Sequence, residues 1–134
     1  MMAIEGHSAP IVAAAAAVVG PLDAASVGRQ AALIVAARIT EELPHVLDTM
    51  DRIELRLDRE RANNRAEDLK SIEIDIAAGS ITVGALNPAD VTELIRLAGD
   101  LDESIVRSKL LNLTLQAVGQ VLDSVVRVKD ILKS

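Results

Sequence analysis

The sequence contains no aromatic residue: none of its 134 positions is Phe, Tyr or Trp. Aromatic rings supply the stacking surfaces of many nucleotide and cofactor pockets and of single-stranded nucleic-acid sites. Their absence argues against both kinds of site, and we expect no cofactor. Half of the residues are nevertheless apolar. Leu, Ile, Val and Ala must therefore form the whole core.

Cysteine is also absent, which excludes a disulfide framework, a thiolate nucleophile and zinc-finger spacing. Basic residues are in deficit, with 14 Lys and Arg against 20 Asp and Glu, for a net charge of −6. Negative charge repels phosphate backbones and anionic lipids. We therefore expect the partners to be proteins, namely further copies of this chain or other protein helices, rather than nucleic acid or a membrane surface.

Histidine is scarce, with only His7 and His45 in the chain. Glu42 and His45 have the Glu-x-x-His spacing found in di-iron helical bundles. Such a centre needs a second copy of the motif and further glutamates, so this copy is better explained as a solvated helix end. No phosphate-binding loop or nucleophile elbow occurs either. We expect no metal, no catalytic residue and no enzymatic activity.

Long apolar runs are missing, since the stretch over residues 11–19 is about half as long as a membrane-spanning helix. This alanine-rich stretch resembles the apolar part of a signal peptide, but no Lys or Arg precedes Arg29 to form the basic region. We predict a mobile apolar N-terminal segment over residues 1–20 and one helical domain over residues 21–134.

Apolar residues at helical spacing predict a first helix from about Ala24 to Leu43, ended or bent by Pro44. The following run, residues 46–57, leaves two interpretations open. Leu47, Met50, Ile53 and Leu57 form a helical stripe, whereas Ile53, Leu55 and Leu57 alternate as in a strand. The charged residues 56–70 predict either an ion-paired helix or a turn at Asn63-Asn64.

A short β-hairpin is predicted near residues 71–84. Ile72, Ile74 and Ile76 alternate with acidic residues, Ala78-Gly79-Ser80 supplies a turn, and β-branched residues follow. Beyond it, Asn87-Pro88 predicts the start of a helix.

Gly99-Asp100 is expected to end or bend that helix. From Leu101 to Ser134 the chain has no proline, which predicts one terminal helix of roughly thirty residues, about 45 Å long. Its apolar arc covers roughly 200°, about twice what the surface helix of a monomer needs.

So wide an apolar arc predicts a helix that is central in its own bundle or shared between subunits. The predicted assembly interface comprises Val106, Leu110, Leu111, Leu113, Leu115, Val118, Gly119, Val121, Leu122, Val126 and Val128. The predicted polar stripe, facing water or a channel, comprises Asp102, Lys109, Asn112, Gln116, Gln120, Asp123, Arg127 and Asp130.

The C-terminal third resembles the inner-rod subunits of type III secretion systems. Matching positions are Pro88, Leu94, Val118-Gly119, Val128 and the tail Ile131-Leu132-Lys133-Ser134. The sequence departs from that pattern in lacking a glutamine after the short helix and in carrying Asp123. The resemblance implies a subunit that is made in the cytoplasm, exported without cleavage, and polymerised in the bacterial envelope around a conduit.

The sequence thus predicts a mainly α protein, a helical hairpin or bundle with a long C-terminal amphipathic helix and the short β-hairpin. The predicted function is a structural subunit that self-assembles through its C-terminal helix. A cytoplasmic adaptor or chaperone-like module that binds a partner's helix is the alternative. The composition leaves the compartment open.

Overall fold

The computed structural model describes residues 20–80, 88–108 and 114–133. Within these ranges the chain is helical almost throughout and contains no strand. The predicted mainly α fold is confirmed. The prediction of a mobile segment over residues 1–20 falls almost entirely outside the described residues.

Four α-helices and one short 3-10 turn make up the described chain. The turn, Leu43–His45, follows the first helix directly. The helices are α1 (Pro21–Glu42), α2 (Thr49–Ala77), α3 (Pro88–Ser108) and α4 (Leu115–Lys133).

Prolines mark helix ends as the sequence predicts. Pro21 occupies the first turn of α1, where its missing N–H group would have no partner within the helix in any case. The α-helical geometry stops at Glu42, and Pro44 lies in the 3-10 turn. Pro88 begins α3. The predicted first helix, its end at Pro44 and the predicted start at Pro88 are confirmed.

The ambiguous segment after Pro44 is the start of the longest helix, α2. Asp48 caps it by accepting a hydrogen bond from the backbone N–H of Asp51 at 3.0 Å. The charged stretch continues the same helix, with an ion pair three residues apart between Arg61 and Asp58 at 3.1 Å. Of the alternatives left open, the structure therefore selects the helical ones.

The β-hairpin predicted near residues 71–84 is wrong, because its first arm is the last turns of α2. The expected hairpin turn is a helix cap, in which Gly79 has a φ of 76°. The Gly79 N–H donates to the Ile76 carbonyl at 3.1 Å, and the Ser80 N–H donates to the Asp75 carbonyl at 2.8 Å. This pair of bonds is the Schellman arrangement. The second predicted arm lies outside the described residues.

The single long C-terminal helix is also wrong. α3 continues through Gly99-Asp100 to Ser108, and Thr114 lies outside any helix. The Thr114 hydroxyl accepts a hydrogen bond from the Ala117 N–H at 3.1 Å, so Thr114 starts α4 as a cap. Two shorter helices replace the predicted one.

Like α4, α1 contacts each of the other three helices. Nearly all of its buried positions carry small side chains, which lets neighbouring helices approach its backbone closely. These positions are Ala24, Ala25, Gly28, Ala31, Ala32, Val35, Ala36 and Ile39.

Two apolar clusters form the core. The larger one joins the first half of α1 to α3, to the C-terminal half of α2 and to that of α4, and includes Leu69 and Val128. The smaller joins the second half of α1, with Leu43, to the N-terminal halves of α2 and α4, with Leu55 and Leu122. α1 and α2 therefore run antiparallel.

One ion pair crosses the contact between α1 and α2 in its interior. Arg29 donates through two of its nitrogens to both carboxylate oxygens of Glu73. The two side chains are 31% and 18% exposed. The hydrogen bond to Glu73 raises the pKa of Arg29. A partly buried, two-point pair of this kind fixes the register of the two helices, because sliding either helix would leave a charge without its partner.

The glycine at position 28 lets side chains of α2 and α4 pack close to the backbone of α1. A Cβ placed on Gly28 would lie 2.9 Å from Cδ1 of Leu69 and 3.7 Å from Cγ1 of Val128, whereas one placed on Gly119 would meet nothing within 4 Å. Both glycines lie inside helices, where alanine is favoured by about 1 kcal/mol. We expect Gly119→Ala to raise the free energy of unfolding by up to about 1 kcal/mol. Gly28→Ala should raise it by less, because the added methyl group would press on Leu69.

Leucine at the same two positions should separate packing from helix propensity. We predict that Gly28→Leu lowers the free energy of unfolding by about 2 kcal/mol or more, because Leu69 and Val128 must move within a packed core. Gly119→Leu is the matched control and should not lower the free energy of unfolding in a dilute solution of the protein. Urea unfolding followed by circular dichroism measures both, and equal effects at the two sites would contradict the close approach at Gly28.

Candidate protein-interaction surface

The described members of the assembly interface predicted on the C-terminal helix are largely turned inward. Val118, Leu122 and Val128 are at most 1% exposed and belong to the two apolar clusters. Leu115 and Val121 are half-buried against the same clusters. These five side chains contribute to the core of their own chain.

Other members of the predicted interface have different surroundings. Val126 is half-buried, and Gly119 is half-buried with open space above it. The side chain of Val106 lies outside the described part of the chain, as do the residues Leu110, Leu111 and Leu113. Their part in assembly remains a prediction. The prediction missed Val125 and Leu132, which complete the buried stripe of α4 at spacings of three and four residues.

The predicted polar stripe is exposed on α4 where it is described, at Gln116, Gln120, Asp123, Arg127 and Asp130. Lys109 and Asn112 lie outside the described residues.

Arg127 also links two helices. It donates a hydrogen bond to Glu93 of α3 at 2.7 Å. Hydrogen bonding from Arg96, with the attraction of Arg127 added, lowers the pKa of Glu93. The stripe thus holds α4 to α3 besides facing solvent.

Large exposed apolar side chains are concentrated elsewhere. Among the described residues, all seven that are strongly exposed precede α3. They are Leu22, Leu33, Leu47, Met50, Ile53, Leu57 and Ile74. In the part of the chain that the structure describes, the large exposed apolar side chains therefore lie on the α1–α2 half.

We call four of these residues the α2 stripe: Leu47, which lies just before α2, and Met50, Ile53 and Leu57 within it, with exposures of 91%, 64%, 43% and 57%. At 100° per residue the three helical members fall within about 60° of one another. The buried Leu55 projects from nearly the opposite side of α2. Because this part of α2 is apolar on two sides, one side remains uncovered when the other enters the core.

The sequence contained a signal for this surface. Met50, Ile53 and Leu57 repeat at helical spacing, and Leu55 with Ala62, Ala66 and Leu69 forms a second, separate helical set. Two apolar sets on one helix indicate two partners.

A shallow groove of about 360 Å³ lies between α1 and α2, with Leu33 and Ile74 among its lining residues. Its central charged groups, Arg29 and Glu73, are paired with each other. They satisfy one another's charge, whereas Glu67 and Lys70, which also line the groove, are exposed.

The Glu-x-x-His pair does not form a metal centre in the described structure. Glu42 lies 3.6 Å from Arg38 in an ion pair, and His45 is exposed in the 3-10 turn. Among the residues described, no group of three or more potential ligands is placed to hold a metal ion. None of the described helices combines the length and the apolar character required to cross a membrane.

Asp102 of α3 is a polar stripe member with unfavourable electrostatics. Its Oδ2 atom is buried and has no hydrogen-bond partner among the described atoms. Burial raises the pKa of Asp102 above its ordinary value of 3.8. Since α3 and α4 are separate helices, Asp102 does not continue the exposed stripe of α4.

Comparison of the chain with protein-family models, with characterised proteins and with solved structures found no match. The inner-rod resemblance of the C-terminal third thus has no support from these comparisons, and the function is inferred from the chain itself.

We predict that Asp102→Asn raises stability at pH 7 by about 1 kcal/mol, because it removes a charge whose desolvated oxygen has no partner. An acid with a raised folded-state pKa destabilises the fold when ionised and not when protonated. The gain should therefore shrink as pH falls through the raised pKa of Asp102 towards 3.8. Thermal unfolding of both proteins at pH 7 and pH 4 tests this.

Asp123→Asn removes the same charge from an exposed position of α4 and is the matched control. It should change the melting temperature little at either pH. A loss of stability in Asp102→Asn at pH 7 would show that the carboxylate has a stabilising partner after all.

Proposed function

We propose that this protein is a non-enzymatic helical subunit that works by packing its α2 stripe against another protein. One observation carries the proposal: the α2 stripe lies on the side of α2 away from the core, so a partner can cover it without opening the fold. The apolar side chains predicted to mediate assembly on α4 are mostly already covered by their own chain. The packed helices act as a four-helix bundle that presents the stripe.

The energetics favour a specific but modest contact. Full burial of a large aliphatic side chain contributes about 1.5 to 3 kcal/mol, and the stripe's four side chains are already partly covered. Their gain of several kcal/mol is comparable with the cost of association, which is at least about 4 kcal/mol. The stripe therefore needs support from polar contacts at its edges, and reversible association is expected.

A photo-reactive residue tests this function. With p-benzoylphenylalanine in place of exposed Met50, illumination of the cells that make the protein should give a covalent adduct with protein. The same residue at Gln120, an exposed polar position of α4, is the matched control. Leu57→Asp added to the Met50 variant should remove the adduct. Failure to crosslink at Met50, or equal crosslinking at both positions, would reject the α2 stripe as a binding surface.

The second candidate is assembly through the outer side of α4, of which an inner rod is the most specific form. The observation that favours it is the open space above Gly119, where a neighbouring backbone could approach. If Gly119 lies in such a contact, Gly119→Ala should weaken association and Gly119→Leu should abolish it, while the isolated chain stays as stable or becomes more so. Association that tolerates leucine at this position, measured by sedimentation, would exclude α4.

A further inference from the structure

We infer that the partner of the α2 stripe is a second copy of this chain, packed antiparallel along the N-terminal half of α2 with Leu57 at the two-fold axis. This inference rests on the proposed function and goes beyond it by naming the partner and the register. The charges beside the stripe point to this partner.

From Met50 to Arg61 four charged side chains are exposed, one acidic and one basic on each edge of the stripe. At 100° per residue, Glu54 and Arg61 fall on one side of the stripe, and Arg56 and Glu60 fall on the other. All four side chains are exposed. These four side chains can form ion pairs with a partner whose charges are arranged in the opposite order.

A second copy offers that order. In an antiparallel pair of identical helices related by a two-fold axis, each edge of one helix faces the same edge of the other, read in reverse. Glu54 then faces Arg61 of the second copy when the axis lies midway between positions 54 and 61. Arg56 faces Glu60 of the second copy when the axis lies midway between positions 56 and 60.

Both requirements are met by one register, because both midpoints fall next to Leu57. Leu57 of one copy then meets Leu57 of the other at the centre, and Ile53 packs over the aliphatic stem of Arg61 from the second copy. Four interchain ion pairs surround this apolar centre. Charges at these flanking positions set orientation and partner choice in helix pairs. A partner with an unrelated sequence would have to reproduce this reversed order of charges independently.

The geometry of the fold permits this pairing. The core-facing residues of this half of α2, including Leu55 and Ala62, lie on the side opposite the stripe. Neither α1 nor α4 needs to move. Arg61 also pairs with Asp58 of its own helix at 3.1 Å, but Arg61 is 51% exposed, so it can turn to a neighbouring carboxylate at little cost.

Charge reversal tests both the partner and the register. Glu54→Arg places two arginines opposite each other at two places in the dimer, and Arg61→Glu places two glutamates there. Sedimentation of the full chain, from low to high micromolar concentration, should show a reversible dimer for the wild type. Each single variant should associate more than ten-fold more weakly, roughly the effect of 1.4 kcal/mol.

Mixing the two variants is the decisive experiment. In the mixed dimer, the arginine introduced at position 54 of one chain faces the glutamate introduced at position 61 of the other, and the unchanged Arg61 faces the unchanged Glu54. Association should therefore return to within a few-fold of the wild type. Asp123→Arg, which makes the same charge change on α4, is the matched control and should leave the dimer intact. Circular dichroism of the exposed-site variants should match the wild type.

The outcomes separate this inference from the function on which it rests. Three results would each overturn the antiparallel dimer. The wild-type chain could stay monomeric at high micromolar concentration, both charge reversals could leave association unchanged, or the mixture could fail to restore association. If crosslinks from position 50 meanwhile lead to a different protein, the α2 stripe remains a binding surface with another partner. If position 50 gives no crosslink at all, both proposals fail together.

Discussion

The close approach of three helices to α1 is the constraint on which the described structure depends. A chain without aromatic residues cannot fill wide gaps between helices with large rings. Small residues on α1 let the other helices approach it, and Leu, Ile, Val and Ala side chains form the two core clusters. Gly28, where even a methyl group would press on Leu69, shows how little space is left.

This packing also decides where polar and apolar groups are left on the surface. The surface pairs within single helices, such as Arg61 with Asp58, contribute little to stability. Other pairs join two helices, namely the partly buried pair of Arg29 with Glu73 and the more exposed pair of Arg127 with Glu93. The described apolar side chains of α4 are largely turned inward, whereas the outer side of α2 leaves Met50, Ile53 and Leu57 exposed.

Two of the sequence-based predictions failed because one local pattern serves two structures. A glycine with positive φ closes a β-hairpin turn and also ends a helix, and Gly79 does the second. The alternating isoleucines before it fit a helix because Ile72 and Ile76 lie one turn apart and face inward together. Thr114 is tolerated within a helix but favoured at its start, and its hydroxyl caps α4. No proline or glycine beside it indicates that a helix begins there.

Local sequence patterns are enough to predict that the protein is mainly helical, that α1 ends near Pro44, that α3 starts at Pro88, and that Val118, Leu122 and Val128 belong to one apolar arc. These follow from covalent limits on the backbone and from side-chain spacing, which act within a few residues. Which of the described apolar surfaces are covered depends instead on contacts between helices that are distant in sequence. α2 and α4 both carry apolar residues over more than one side, and periodicity cannot tell an inner side from an outer one. The small residues of α1 influence which side of each helix is buried, because burial depends on which helices can come close enough to exclude water.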